Sequence, residues 1–276
     1  MTRYVECANG TGLVPASLRL FCFHHAGGGA SMYRTWQRAL GPHTSVWPVL
    51  LPGRERRRGE VRFQELEPLM ADLDAQLDDH LTEPYVFFGH SMGALIAYLL
   101  AGRRHARSAT LPAALIVSGC SAPHLPSPLP SADSLDDSEL VRVLTGLGGL
   151  PAPVLEFPAL VSDMLPVIRD DLRLFVEDRT DDQLPLPCPI HVFGGDADAL
   201  VDELDLTAWQ EHTTAPTEVS ILSGDHFFLD RPDELFDHLR PLLRGYGTRG
   251  ARHIGHSGGP PRVASSVPVT SKPNRS

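Results

Sequence analysis

Lysine is almost missing from this chain: Lys272 is the only one, so arginine carries nearly all the positive charge, and Lys+Arg (24) are outnumbered by Asp+Glu (34). The formal net charge of -10 argues against a nucleic acid as a general partner, since a phosphate backbone would be repelled by most of the surface. Long apolar runs are also lacking. No stretch approaches the ~20 residues needed to span a bilayer, and the segment Met1 to Glu6 carries no apolar core of a secretory signal, so a cytoplasmic protein is expected. Cysteine is sparse. Cys7, Cys22, Cys120 and Cys188 are scattered and read as small buried apolar residues in a reducing compartment. Histidine is plentiful, at 13, yet His24, His25, His191 and His212 show no metal-ligand spacing, so no metal and no cofactor are expected. Residues 245–276 have no acidic residue and are rich in glycine, proline, serine and arginine, the composition of a disordered tail.

What remains is an ordinary globular composition. With 276 residues and 42% hydrophobic content, the chain suits one sizeable α/β domain with an insertion. Strands are expected at 18–23, 45–51, 85–88, 113–118, 189–193 and 217–222, separated by helical patterns. Over residues 64–80, Leu66, Leu69, Met70, Leu73 and Leu77 form one stripe, with Glu65, Asp72, Asp74 and Asp78 turned to water. Alternating strands and helices predict a mostly parallel sheet covered on both faces. The beat breaks at about 122–187, where a Pro/Ser-rich linker precedes helical pieces around 136–147 and 158–178, which predicts a helical lid. The expected organisation is an N-terminal extension (1–16), a catalytic domain (17–244) and the tail.

The chemistry is carried by Gly89-His90-Ser91-Met92-Gly93. A serine between two glycines, after a strand and before a helix, is the pattern of a nucleophile elbow, which holds the hydroxyl out at the end of the sheet on a strained turn. A serine needs a histidine base and an acid to orient it. His226, just past the 217–222 strand, is the candidate base. The loop after the 189–193 strand offers Asp196 and Asp198, either of which could be the acid; Asp225, adjacent to His226, reads better as a loop cap. The order serine, acid, histidine and the placement of all three on strand-to-helix loops fit an open parallel sheet. An oxyanion needs two donors, for which the Met92 N–H and the Ala26 N–H of the His24-His25-Ala26-Gly27-Gly28-Gly29 loop are the candidates.

Two further features bear on substrate. Arg54, Arg56, Arg57 and Arg58 form a basic cluster after the 45–51 strand, either a docking patch for an anionic partner or a solvated loop. The lid carries many apolar residues between Leu144 and Phe175, which either line a channel for an apolar acyl group or attach the lid to the domain; Gly146, Gly148 and Gly149 are candidate hinges.

Taken together, Phe23-His24-His25-Ala26-Gly27-Gly28, Tyr33-Arg34-Thr35-Trp36, Leu51-Pro52-Gly53-Arg54-Glu55, the elbow, Gly194-Gly195 with Asp198, and Gly224-Asp225-His226-Phe227-Phe228 resemble the type II thioesterases of polyketide and nonribosomal peptide assembly lines, over residues 17–244. The resemblance implies an α/β-hydrolase fold and a stand-alone editing enzyme. Such an enzyme clears stalled or aberrant acyl groups from the phosphopantetheine arm of an acyl or peptidyl carrier protein. It also implies Asp198 as the acid and Ala26 and Met92 as oxyanion donors, and gives the arginine cluster an acidic carrier to meet. One departure stands out: the family usually has proline where this chain has His24. A serine esterase or an acyltransferase on small acyl substrates would share the same residues, and a carrier-binding scaffold would share the fold.

Overall fold

A computed structural model describes residues 2–5, 17–82, 84–150, 152–176 and 183–254. Six strands, β1 (Leu18–Phe23), β2 (Thr44–Val49), β3 (Tyr85–His90), β4 (Leu115–Ser118), β5 (Ile190–Gly195) and β6 (Thr217–Leu222), form one sheet in the order β2-β1-β3-β4-β5-β6. Every pairing between them is parallel. The chain steps from β1 outward to β2, then crosses back to β3 and continues the other way. The direction therefore reverses between β1 and β3, where an open parallel sheet leaves a crevice at its carboxyl ends.

The period-two alternation of a strand divides its side chains between two cores. Phe21, Phe23, Tyr85 and Phe87 pack beneath α2 (Leu66–Leu77) and α3 (Met92–Ala106). Leu18, Leu20, Cys22, Val86 and Phe88 pack on the opposite face with Trp36 of the short α1 (Trp36–Leu40) and with Phe236 and Leu239 further along the chain. Phe23 and Phe87 meet edge to face at 5.3 Å, the arrangement favoured by the ring quadrupole. Cys22, Cys120 and Cys188 are buried, and Cys7 lies outside the described residues.

The interval between β4 and β5 contains helices α4 (Asp137–Gly146), α5 (Ala152–Leu155) and α6 (Pro158–Val176), with no strand among its described residues. Two helices follow, the short α7 (Glu203–Thr207) after β5 and the long α8 (Asp233–Ile254) after β6. Leu140, Val161, Leu165, Ile168 and Leu172 form a small core of the insertion itself, and Leu174 and Phe175 join the main one. Most of the apolar content is thus spent on internal packing, while Phe157 and Leu160 stay exposed.

Three expectations are corrected. Asp74 is not turned to water: it is buried, with Arg104 at 2.9 Å and Arg107 at 3.0 Å, because α3 lays its basic C-terminal turn across this face of α2. The tail does not begin at 245: α8 continues to Ile254, and Tyr246 donates or accepts a 2.8 Å hydrogen bond with His191 Nε2. Only 255–276 of that segment lie outside the described residues. Within the N-terminal extension, Tyr4 and Val5 belong to the core. Val5 makes an antiparallel bridge with Val49, and the Tyr4 hydroxyl donates to Asp72 at 2.6 Å. Residues 6–16 lie outside the described residues.

Candidate active site

Ser91 stands between β3 and α3 with φ 53° and ψ -122°, a conformation that costs a non-glycine residue of order 1–3 kcal/mol and is held by its surroundings. The flanking glycine explains the confinement. A Cβ on Gly93 would lie 2.2 Å from the Phe23 carbonyl oxygen, so only glycine lets the first turn of α3 sit directly against the end of β1. That contact brings the loop carrying Ala26 beside the elbow. Met92 opens α3, and its N–H is one of the first-turn amides for which a helix has no internal acceptor.

Histidine and acid meet across two other strand ends. The loops after β5 and β6 are tied together by Asp196 N–H to the Leu222 carbonyl (2.8 Å), Ala197 N–H to the Gly224 carbonyl (2.9 Å) and Gly224 N–H to Asp196 Oδ1 (2.9 Å). This lacing places His226 Nδ1 2.8 Å from Asp198 Oδ2. The other oxygen, Oδ1, accepts the Leu200 N–H at 2.8 Å, so the carboxylate is fully buried yet bonded at both oxygens. Of the three candidate acids, Asp198 is the one in contact with His226, whereas Asp196 laces the loops and Asp225 caps its own turn through the Phe227 N–H. His226 is buried, with its ring centroid 5.2 Å from that of His90, the neighbour of Ser91.

The arginine cluster does not face outward as a unit. Arg54 is buried in a two-pronged pair with Asp171 of α6, at 2.6 and 2.7 Å, which is the geometry a planar guanidinium offers a carboxylate. Arg57 is also buried, pairing with Glu60, donating to the Leu50 carbonyl and covering the Tyr4 ring. As docking residues these two are corrected. Arg56 and Arg58 are the exposed pair.

The α6 helix also reaches the loop that carries Ala26. Asp171 Oδ2 accepts the Gly27 N–H at 2.8 Å, and Ile168 lies so close that a Cβ on Gly27 (φ +75°) would meet it at 2.6 Å. Sequence reasoning missed Asp171, since a partner 144 residues from Gly27 leaves no local signal.

Around this centre lie three more imidazoles. Burial holds His24 and His90 well below the usual histidine range, with the Arg54 charge adding to the effect at His24 and the His226 ring at His90; burial also lowers His25. Each binds a proton less readily when folded than in the unfolded chain, where it titrates near pH 6.5. The unfolded state therefore binds more protons on acidification, and stability falls as pH drops from that value, by at most ~1.4 kcal/mol per pH unit per histidine. Urea midpoints measured at pH 7.5 and 5.5 should show the loss, and a double His24→Asn, His90→Asn variant should flatten it.

Residues 18–243 match the thioesterase domain family. The chain belongs to that family. It is 40% identical to the RedJ thioesterase of the prodiginine pathway in Streptomyces coelicolor, covering 82% of this chain and 90% of that one with a TM-score of 0.78. It is 34% identical to the type II thioesterase BorB of the borrelidin cluster, over 87% of this chain and 97% of that one, also with a TM-score of 0.78. Among curated proteins, the gramicidin S biosynthesis protein GrsT of Aneurinibacillus migulanus is 36% identical over 230 residues, 83% of this chain and 90% of its own. This thioesterase is accordingly a serine-type hydrolase of the type II kind on an α/β-hydrolase fold. No helix among its described residues is long and apolar enough to cross a membrane, and no group of three or more His, Cys, Asp or Glu among them could hold a metal ion.

Proposed function

We propose that this thioesterase hydrolyses acyl groups from the phosphopantetheine arm of acyl or peptidyl carrier proteins in the cytoplasm, removing stalled or aberrant chains in polyketide or nonribosomal peptide synthesis. The observation that carries the reading is the His226–Asp198 contact at 2.8 Å on loops next to a strained serine, in a chain of this family.

Each residue then has a role. A carboxylate oxygen only accepts, so His226 Nδ1 carries the hydrogen facing Asp198 and Nε2 keeps a lone pair for the serine. Nε2 takes the Ser91 proton as Oγ bonds to the thioester carbon, and the carbonyl electrons move to the oxygen, which is met by the N–H groups of Ala26 and Met92. Collapse of this intermediate breaks the carbon–sulfur bond, and the imidazolium returns its proton to the departing pantetheine sulfur. Water, deprotonated by the same Nε2, attacks the acyl-serine; the acid leaves and Ser91 regains its proton.

A panel of carriers loaded with short to long acyl groups, assayed beside matched free esters, tests the substrate. Carrier thioesters should be hydrolysed well ahead of the esters; the reverse order would make the enzyme a small-molecule esterase. Recognition of the acidic carrier falls to Arg56 and Arg58. Reversing both to glutamate should raise KM for an acyl carrier about ten-fold, the effect of losing one to two kcal/mol of surface attraction, while a small thioester mimic is hydrolysed at the wild-type rate. Equal losses on both substrates would remove the docking role.

A further inference from the structure

We propose that His24 is a positioning residue of the oxyanion hole: its Nδ1–H holds the His25 carbonyl and thereby aims the Ala26 N–H at the reacting oxygen. The proposal rests on Ala26 being an oxyanion donor. The peptide between residues 25 and 26 is planar and trans, so its C=O and N–H point in opposite directions, and whatever fixes one fixes the other. His24 Nδ1 lies 2.8 Å from the His25 carbonyl oxygen. A carbonyl only accepts, so this nitrogen carries the hydrogen, and Nε2 is left as a lone pair, buried and without a hydrogen-bond partner among the described residues. The Gly28 N–H reaches the same oxygen at 3.0 Å and closes the turn.

The next peptide is held from both ends as well. His25 Nδ1 donates to the Ala26 carbonyl at 2.8 Å, and the Gly27 N–H donates to Asp171 at 2.8 Å. Two consecutive peptides are thus braced by side chains, and the one bearing the Ala26 N–H depends on His24. Leaving a buried Nε2 unsatisfied carries a desolvation cost of about 1–3 kcal/mol, which a merely space-filling residue would avoid. Burial and the nearby Arg54 charge keep the ring neutral, and the Arg54 guanidinium also donates to the Gly28 carbonyl at 3.2 Å, bracing the far side of the turn.

The test is steady-state kinetics on an acyl thioester for wild type, His24→Leu, His24→Ala, His24→Asn and Ser91→Ala, with a thermal midpoint for each. Leucine fills the volume without a donor, and asparagine puts an amide N–H close to where Nδ1 sits. Removing an oxyanion donor outright costs about 10²–10³ in kcat; a misaimed one should cost about 10- to 100-fold in His24→Leu and His24→Ala, with KM changed less than about two-fold. His24→Asn should recover to within about three-fold of wild type. Fluorophosphonate labelling of Ser91, which also develops an oxyanion, should slow in the same order. Wild-type kcat in His24→Leu, equal losses in His24→Asn and His24→Leu, or an effect on KM alone would overturn the proposal. Ser91→Ala retaining the wild-type rate would instead overturn the serine mechanism beneath it, so the two failures are told apart.

Discussion

Ser91→Ala should lower kcat by about 10⁴- to 10⁶-fold, leaving only the catalysis that binding and the oxyanion donors supply without a nucleophile. Its fold should be intact and somewhat more stable, because alanine relieves none of the φ 53° strain but removes a hydroxyl from a nearly buried site. A carrier thioester should still bind with wild-type affinity, measurable by titration with the unhydrolysed acyl carrier. Asp198→Asn should lose about 10⁴-fold, since an amide in place of the carboxylate favours the wrong histidine tautomer. Double replacement of Ser91 and Asp198 should be no worse than Ser91→Ala alone, as befits residues that act as one unit. Activity within ten-fold of wild type in Ser91→Ala would refute the mechanism.

The second large effect concerns stability. Asp171→Leu should destabilise the protein by about 3–5 kcal/mol, because it strands the Arg54 guanidinium in a site that excludes water. Arg54→Met in the same background should restore most of that loss, since apolar groups of similar volume can replace a buried pair. Chemical denaturation of the two single variants and the double variant gives the coupling energy directly. Activity should fall in both backgrounds, because Asp171 also accepts the Gly27 N–H and the double variant leaves that amide unheld. A double variant as unstable as Asp171→Leu would mean that the pair is not what fastens α6 to the loop.

What could be read without coordinates follows from the range of each signal. The six strands and α2 were legible because apolar periodicity and turn residues are local properties. Strand ends nevertheless moved by up to two residues, as where β3 runs on to His90 and β4 begins only at Leu115. The elbow was legible for the same reason: a strand, two glycines and a helix occupy adjacent positions. Arg54 and Arg57 were misread as docking residues because four neighbouring arginines look alike in sequence, whereas Arg54 meets a carboxylate 117 residues away and Arg57 meets one three residues away. Asp74 was misread as solvated by the same logic, its partner Arg104 lying on another helix.

The amino-acid sequence alone determined the sheet, the insertion after β4 and the order serine, acid, histidine, since each is written in short stretches whose conformation depends on their own residues. Only the tertiary structure decided which aspartate meets His226, that Arg54 is buried against α6, and that Asp171 holds the Gly27 N–H. Those outcomes depend on angstrom-scale contacts between segments far apart in the chain, and a carboxylate's partner is chosen by distance in space rather than by distance along the backbone.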